Sequence, residues 1–202
     1  MKKVDTKGVD YTERLVRLEK KRWKDVLDVQ RPYRWNIKRL DPGKTLEVGC
    51  GIGRLLKHLP EGSVGVDHNA HSIKECVANG MTAFQTDSFF KSKLAKKGAF
   101  DSILLAHVVE HMTPEENVKL LNSYLPFLKK RGKIIIICPQ EKGYKTDQTH
   151  VALYDFNDLA QLLKKVDFVV HRKHSFPFPR LAGKIFTYNE FVVTAKALQT
   201  IG

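Results

Sequence analysis

Cysteine is scarce in this chain, with only Cys50, Cys76 and Cys138. Three thiols at wide spacing, without a CxxC pair, exclude a disulfide framework and a clustered zinc site; they read as buried small hydrophobes in a reducing compartment. Long apolar runs are also missing. No stretch approaches the ~20 apolar residues of a membrane span, and MKKVDTKGVDYTERLVRLEKKRWKD at the N-terminus lacks the apolar segment of a signal peptide. A cytoplasmic location is expected. There is no internal repeat and no low-complexity tract. Acid is in deficit, with 22 Asp+Glu against 35 Lys+Arg for a formal charge of +13, which raises the prospect of polyanionic partners.

What is present is an ordinary globular mixture, 42% hydrophobic and 28% charged over 202 residues, long enough for one self-sufficient core. The positive charge is uneven. Met1 to Arg39 holds 13 Lys or Arg and 6 Asp or Glu, a net +7. This segment reads as a helical arm or lid from about Asp10 to Arg39, with Leu15, Leu18, Val26, Leu27 and Val29 as its apolar positions and Tyr11, Trp23, Tyr33 and Trp35 among the basic residues. Pro32 is expected to end or kink it. The chain thus divides into a basic arm, residues 1–40, and a main domain, residues 41–202.

From Lys44 onward short apolar runs alternate with helical stretches, as in a doubly wound α/β sheet of mostly parallel strands. Strands are expected at Lys44 to Val48, Ser63 to Val66, Thr82 to Gln85, Phe100 to Leu105 and Lys133 to Cys138, and helices at Arg54 to His58, His71 to Asn79, Pro114 to Lys129 and Phe156 to Lys165. The run IIIIC has no polar alternation, so it belongs at the sheet centre, covered on both faces. Phe168 to Arg172 and Glu190 to Ala195 have no long helix between them and suit an antiparallel pair at one edge.

The segment TLEVGCGIGR sets Gly49, Gly51 and Gly53 directly after a strand. Such a turn lets backbone approach a ligand closely and is expected to aim free N–H groups at it. Asp67 ends the next strand, 18 residues after Gly49, where a carboxylate can accept both hydroxyls of a ribose. Loop and acid together specify an adenosine-containing ligand. A dinucleotide fits poorly, because Arg54 stands where its third glycine is needed and Glu47 would repel a pyrophosphate while suiting an ammonium group.

LEVGCGIGR followed by VGVDH resembles the nucleotide-binding half of the class I S-adenosylmethionine-dependent methyltransferases, and the likeness runs from about Lys44 to Ala197. It implies a seven-stranded Rossmann-like sheet with an antiparallel last strand. It also implies S-adenosyl-L-methionine as cofactor, with Glu47, Gly49, Cys50 and Gly51 around the methionine part, Asp67 on the ribose and His68 and Asn69 beside the adenosine. Asp87, with Ser88 and Phe89 next to it, matches the acid that receives the adenine amino group; a solvated helix cap is its other reading. Ala106 and His107 are expected at the methionine end.

FDSILLAHVVEHMTPEE resembles the fourth motif of the type 11, ubiquinone-biosynthesis-like branch, and it lacks the Asn/Asp-Pro-Pro-aromatic motif of enzymes that methylate nucleic-acid amines. His111 is a candidate base or a residue that orients its loop. Thr113 with Pro114, Glu115 and Glu116 is a helix start. THVALYDF resembles a pattern that puts His150 near the acceptor pocket with Tyr154 supporting it, and Tyr144 lies on the same polar loop. His107, His111 and His150 fit no compact ligand spacing, so no metal is expected. In HSFPFPR, polyproline stiffness would present Phe176, Phe178 and Arg180 as a wall, closing the acceptor site or covering the sheet edge. The expected activity is in-line methyl transfer to a small metabolite or lipid precursor. RNA or a ribosomal component, held by the basic arm, is the alternative acceptor, and a cofactor-binding protein without catalysis the third reading.

Overall fold

The computed structural model describes residues 31–198, so the part of the basic arm up to residue 30 lies outside the described residues. The chain divides into two compact units after Ala95. The first holds helix α1 (Arg31–Leu40), strands β1 (Thr45–Val48) and β2 (Val64–Asp67), helix α2 (Ala70–Ala78), strand β3 (Ala83–Gln85) and helix α3 (Thr86–Phe90). Pro32 is the second residue of α1, and the chain is helical from there to Leu40; a proline in a first turn loses no helical hydrogen bond, since the amide it lacks has no partner there.

In the first unit β1 and β2 pair in parallel, Leu46 opposite Val64, and β2 pairs with β3, Gly65 opposite Ala83. Every residue of β1 and β2 is buried, as parallel strands covered on both faces require. The buried polar ends are satisfied locally: the Thr45 amide donates to Ser63 Oγ at 3.0 Å. Cys50, Leu56, Cys76 and Ala83 form a small buried cluster beside the sheet. Gly65 serves this packing, because a Cβ there would stand 2.6 Å from Leu56 and 2.8 Å from Cys50 Sγ.

The second unit holds β4 (Phe100–Ala106), α4 (Pro114–Tyr124), β5 (Leu128–Pro139), α5 (Glu141–Tyr144), α6 (Phe156–Lys164), β6 (Phe168–Phe176) and β7 (Glu190–Ala197), with 3-10 turns at Val109–His111, Leu125–Phe127 and Arg180–Lys184. β4 runs parallel to β5, Ile103 opposite Ile134, whereas β7 pairs antiparallel with both β5 and β6. Ile134 to Cys138 are at most 3% exposed, as the unbroken apolar run predicts. The hydrogen-bonded strand order is β3-β2-β1 in the first unit and β4-β5-β7-β6 in the second. The last two strands are longer than expected, and β7 lies inside β6, so β6 is the edge and exposes Val169 and the run His171, Arg172 and Lys173.

Several elements differ from expectation, and the helix expected over Arg54 to His58 is a 3-10 turn at Leu56–His58. The helix expected to reach Lys129 stops at Tyr124, because Pro126 has no amide to continue the ladder and the chain passes through a 3-10 turn into β5. Thr86–Phe90 and Glu141–Tyr144 form short helices where loops were expected. Among the described residues no helix is long and apolar enough to cross a membrane.

Candidate active site

In the first unit the chain leaves β1 through Gly49, Gly51 and Gly53, all with positive φ (76°, 52° and 79°), a conformation in which a Cβ is strained. The loop is closed by its own amides. Gly49 and Cys50 N–H donate to the Val66 carbonyl at 2.7 and 3.1 Å, and Gly53 N–H donates to the Cys50 carbonyl at 2.9 Å. The amides expected to point at a ligand are therefore spent inside the fold at these positions, and the loop offers close backbone approach in place of an anion cradle. Cys50 turns its thiol inward, 3.7 Å from the Gly51 carbonyl that Cys76 Sγ also approaches at 3.3 Å; its hydrogen-bonded neighbour Cys76 and its burial push its pKa far up.

Asp67 is the hinge of this half. Its Oδ2 accepts the Gly51 amide and its Oδ1 the Asn69 amide, both at 2.8 Å, so one buried carboxylate ties the glycine loop to the head of α2. Each oxygen keeps a further lone pair, enough for two hydroxyl donors. Asn69 caps α2, its side-chain oxygen accepting from His71 and Ser72 amides. His68 is exposed, and its carbonyl accepts from Gln85 Nε2 at 3.4 Å, joining the ends of β2 and β3. Asp87 and Ser88 are exposed on the first turn of α3, where Phe89 is buried.

Glu47 sits at the penultimate position of β1 with 3% exposure. Burial, then the nearby Cys76 and Asp67, hold its carboxyl well above the usual carboxylate range. Its Oε2 has no hydrogen-bond partner among the described residues.

In the second unit His107 follows β4 with φ of 57°. Its Nε2 lies 2.8 Å from Glu190 Oε1 and its Nδ1 3.4 Å from Glu110 Oε1. Burial alone would lower the imidazole's pKa; the two carboxylates outweigh it and raise the value to about 10. Glu190, at the start of β7 and 3% exposed, was not singled out by the sequence, where it reads only as the first residue of a strand. Beside it lies a buried amide pair: Gln140 Nε2 donates to the Glu190 carbonyl at 2.9 Å and Asn189 Nδ2 to Gln140 Oε1 at 3.0 Å.

Glu110 and His111 lie on the 3-10 turn after β4. The Glu110 carbonyl accepts the Val151 and Ala152 amides at 2.7 and 3.2 Å, which pins the 149–152 loop beside that turn. His111 and His150, 39 residues apart in sequence, thereby meet edge to face at 4.9 Å between ring centroids, and Tyr144 stacks on His150 at 5.2 Å. His111 is held below its ordinary pKa by burial first, with His150 adding to the effect against the opposing Glu110. The Tyr154 hydroxyl donates to the Met112 carbonyl at 3.1 Å and accepts from Asn117 Nδ2 at 3.0 Å. The aromatic wall is split: Phe176 is buried, Phe178 is half exposed, and Arg180 forms a two-armed ion pair with Glu141 at the head of α5. The same segment exposes Leu181 (75%), Ile185 (80%) and Tyr188 (65%).

A family model described as a methyltransferase domain matches residues 17–173. No curated protein matches the sequence. Among solved structures, the chain is similar to an S-adenosylmethionine-dependent methyltransferase from Archaeoglobus fulgidus, with 20% identity and a TM-score of 0.63 over 81% of this chain and 92% of that one. It is similar to magnesium protoporphyrin IX methyltransferase from Synechocystis PCC 6803, solved with bound S-adenosylhomocysteine, with 17% identity and a TM-score of 0.58 over 84% and 85%. A third likeness, to a methyltransferase from Aquifex aeolicus, has 18% identity and a TM-score of 0.56 over 87% and 98%. At these identities the structures speak for the fold, and the family model, which spans most of the sequence, speaks for the lineage. The chain belongs to the S-adenosylmethionine-dependent methyltransferases of class I.

Proposed function

We propose that this enzyme methylates a small organic acceptor, a metabolite or lipid precursor, with S-adenosylmethionine as the donor. When bound, the cofactor supplies a methyl group on a positively charged sulfur, already activated, so the protein's task is alignment and exclusion of water. Two features of the first unit fit that cofactor. Glu47 offers a buried oxygen without a partner among the described residues, suited to an ammonium group, and Asp67 keeps lone pairs for the ribose hydroxyls beyond the two amides it accepts. In this reading Gly49, Cys50 and Gly51 give close backbone approach, His68 and Asn69 lie by the adenosine, Asp87 and Ser88 by the adenine, and Ala106 and His107 by the methionine end.

The acceptor reading rests on one observation: the exposed apolar side chains Phe178, Leu181, Ile185 and Tyr188 belong to the segment that Arg180 ties to α5, whose last residue Tyr144 stacks on His150. Apolar exposure of this kind suits an organic skeleton better than a phosphate backbone. His111 and His150 are the groups that meet the acceptor, and Tyr144 holds His150 in place. Supplying isotopically labelled cofactor to a cell extract tests this: the label is expected in the organic-extractable small-molecule fraction. Label confined to RNA would overturn the reading in favour of the basic arm as an RNA-binding element.

A further inference from the structure

Sequence spacing gives no metal motif here, yet the fold gathers one. Among the described residues Glu110, His111 and His150 each offer a ligand atom within 4.8 Å of the other two. Hydrogen bonds decide which atoms of the rings are available. His150 Nδ1 lies 2.6 Å from the Tyr144 carbonyl; a carbonyl only accepts, so Nδ1 carries the proton and Nε2 the lone pair of the neutral ring. The second ring follows by the same logic. Thr149 Oγ1 donates its proton to Asp147 Oδ1 at 2.8 Å, so its contact with His111 Nδ1 at 3.0 Å must be accepted from the ring, as must the 3.3 Å contact to the Thr149 carbonyl. Both imidazoles thus have Nδ1 fixed by an outer partner and Nε2 bare, the arrangement that orients histidine ligands around metals.

The third ligand is the unusual one. Glu110 is 1% exposed, and among the described residues neither side-chain oxygen accepts a hydrogen bond; His107 Nδ1 lies 3.4 Å from its Oε1. That imidazolium is shared with Glu190, whose Oε1 it meets at 2.8 Å, so two buried carboxylates face one cation and a further positive charge beside Glu110 is favourable. Two imidazoles and one carboxylate suit a divalent cation of zinc type, bound by three protein ligands with a position left open.

We infer that Glu110, His111 and His150 form a binding site for a zinc-type divalent cation, whose open position takes a hydroxyl oxygen of the acceptor. The site itself stands apart from the cofactor reading, while its use by the acceptor rests on the proposed function. A cation there lowers the pKa of a coordinated O–H; the proton leaves to bulk water and the oxygen keeps its electron pair, so no separate base is needed. The assignment replaces the sequence expectation that no metal takes part.

The test uses the full chain, stripped with a chelator and dialysed, then titrated with Co²⁺ by visible absorption and with Zn²⁺ by calorimetry, alongside S-adenosylhomocysteine in a separate cell. One equivalent of either metal is expected to bind, with Mg²⁺ failing to compete. Glu110→Gln and His150→Gln are expected to weaken Zn²⁺ at least tenfold, while His171→Gln, an exposed histidine of β6, binds as wild type. His150 is only part-buried, so its variant keeps the test open if Glu110→Gln does not fold. Retained S-adenosylhomocysteine affinity with no stoichiometric Co²⁺ spectrum, or unchanged metal affinity in His150→Gln, overturns the metal site alone. Loss of nucleoside affinity with intact metal binding overturns only the cofactor reading.

Discussion

Asp67 accepts two backbone amides and is proposed to hold the ribose, so its removal has two separable effects. Asp67→Ala is expected to weaken S-adenosylmethionine binding more than tenfold by calorimetry, and also to lower the melting temperature of the free protein, because hydrogen bonds to a charged acceptor are worth about 1.5–3 kcal/mol each. Unchanged affinity with a lowered melting temperature would leave Asp67 a purely structural tie. Glu47 differs in sign. Its folded-state pKa is raised by burial above the ordinary 4.5, so the folded protein holds a proton that the unfolded chain gives up. Stability from this group is whole below 4.5 and declines as pH rises toward the raised value. Glu47→Gln, with no proton to lose, is expected to raise the urea midpoint of the free protein at pH about 8 and to leave it unchanged at about 4. Parallel pH profiles of the two proteins would refute this. Legibility at this scale was mixed. Asp67 was legible as an acid at a strand end, but its ties to the Gly51 and Asn69 amides were not, and Glu190 was hidden because its partner, His107, lies 83 residues away.

At the scale of elements, the helix starts were the most readable features, since a cap is a local device. Thr113 accepts the Glu116 amide while Glu116 reaches back to the Thr113 amide, and Asp155 and Asp158 repeat this at α6. The Asp158 amide bonded to Asp155 lowers that carboxyl below its ordinary 3.8. Its contribution is present above 3.8 and is lost as pH falls through the depressed folded value. Asp155→Ala is therefore expected to cost about 0.5–2 kcal/mol at neutral pH and progressively less under acid, measured by urea unfolding at pH about 7 and about 2.5; a constant difference would exclude the charged cap. Gly53→Ala places a Cβ at φ of 79° and 2.5 Å from Met81 Sδ. The methionine can swing away, so the cost is backbone strain of roughly 1–2 kcal/mol. Strand ends were less legible: β5 begins at Leu128 in a stretch that reads as helix, because Pro126 stops the helix for a reason that acts across one turn only.

Over the whole molecule the formal charge of +13 predicts loose association with polyanions. Binding to a single-stranded RNA, followed by fluorescence anisotropy, is expected to weaken at least tenfold between about 50 and 200 mM salt. Labelling of the small-molecule fraction is expected to be far less sensitive to the same change, because an apolar acceptor is not held by counterion release. Transfer that fell in step with RNA binding would tie catalysis to the arm. The apolar residues exposed between Phe178 and Tyr188 carry the opposing case, and no sequence pattern distinguished them from residues that pack.

Taken alone, the sequence determined the sheet type, the central isoleucine strand, the glycine turn and the acid that follows it, because each is fixed by residues close in the chain: period, cap, turn conformation, spacing. Only the tertiary structure decided that the loop amides are spent internally, that Cys50 faces inward, and that Glu110, His111 and His150 converge. Those outcomes depend on hydrogen bonds between distant segments, such as the Glu110 carbonyl holding the Val151 amide, and no local pattern encodes which distant partner a polar group will find.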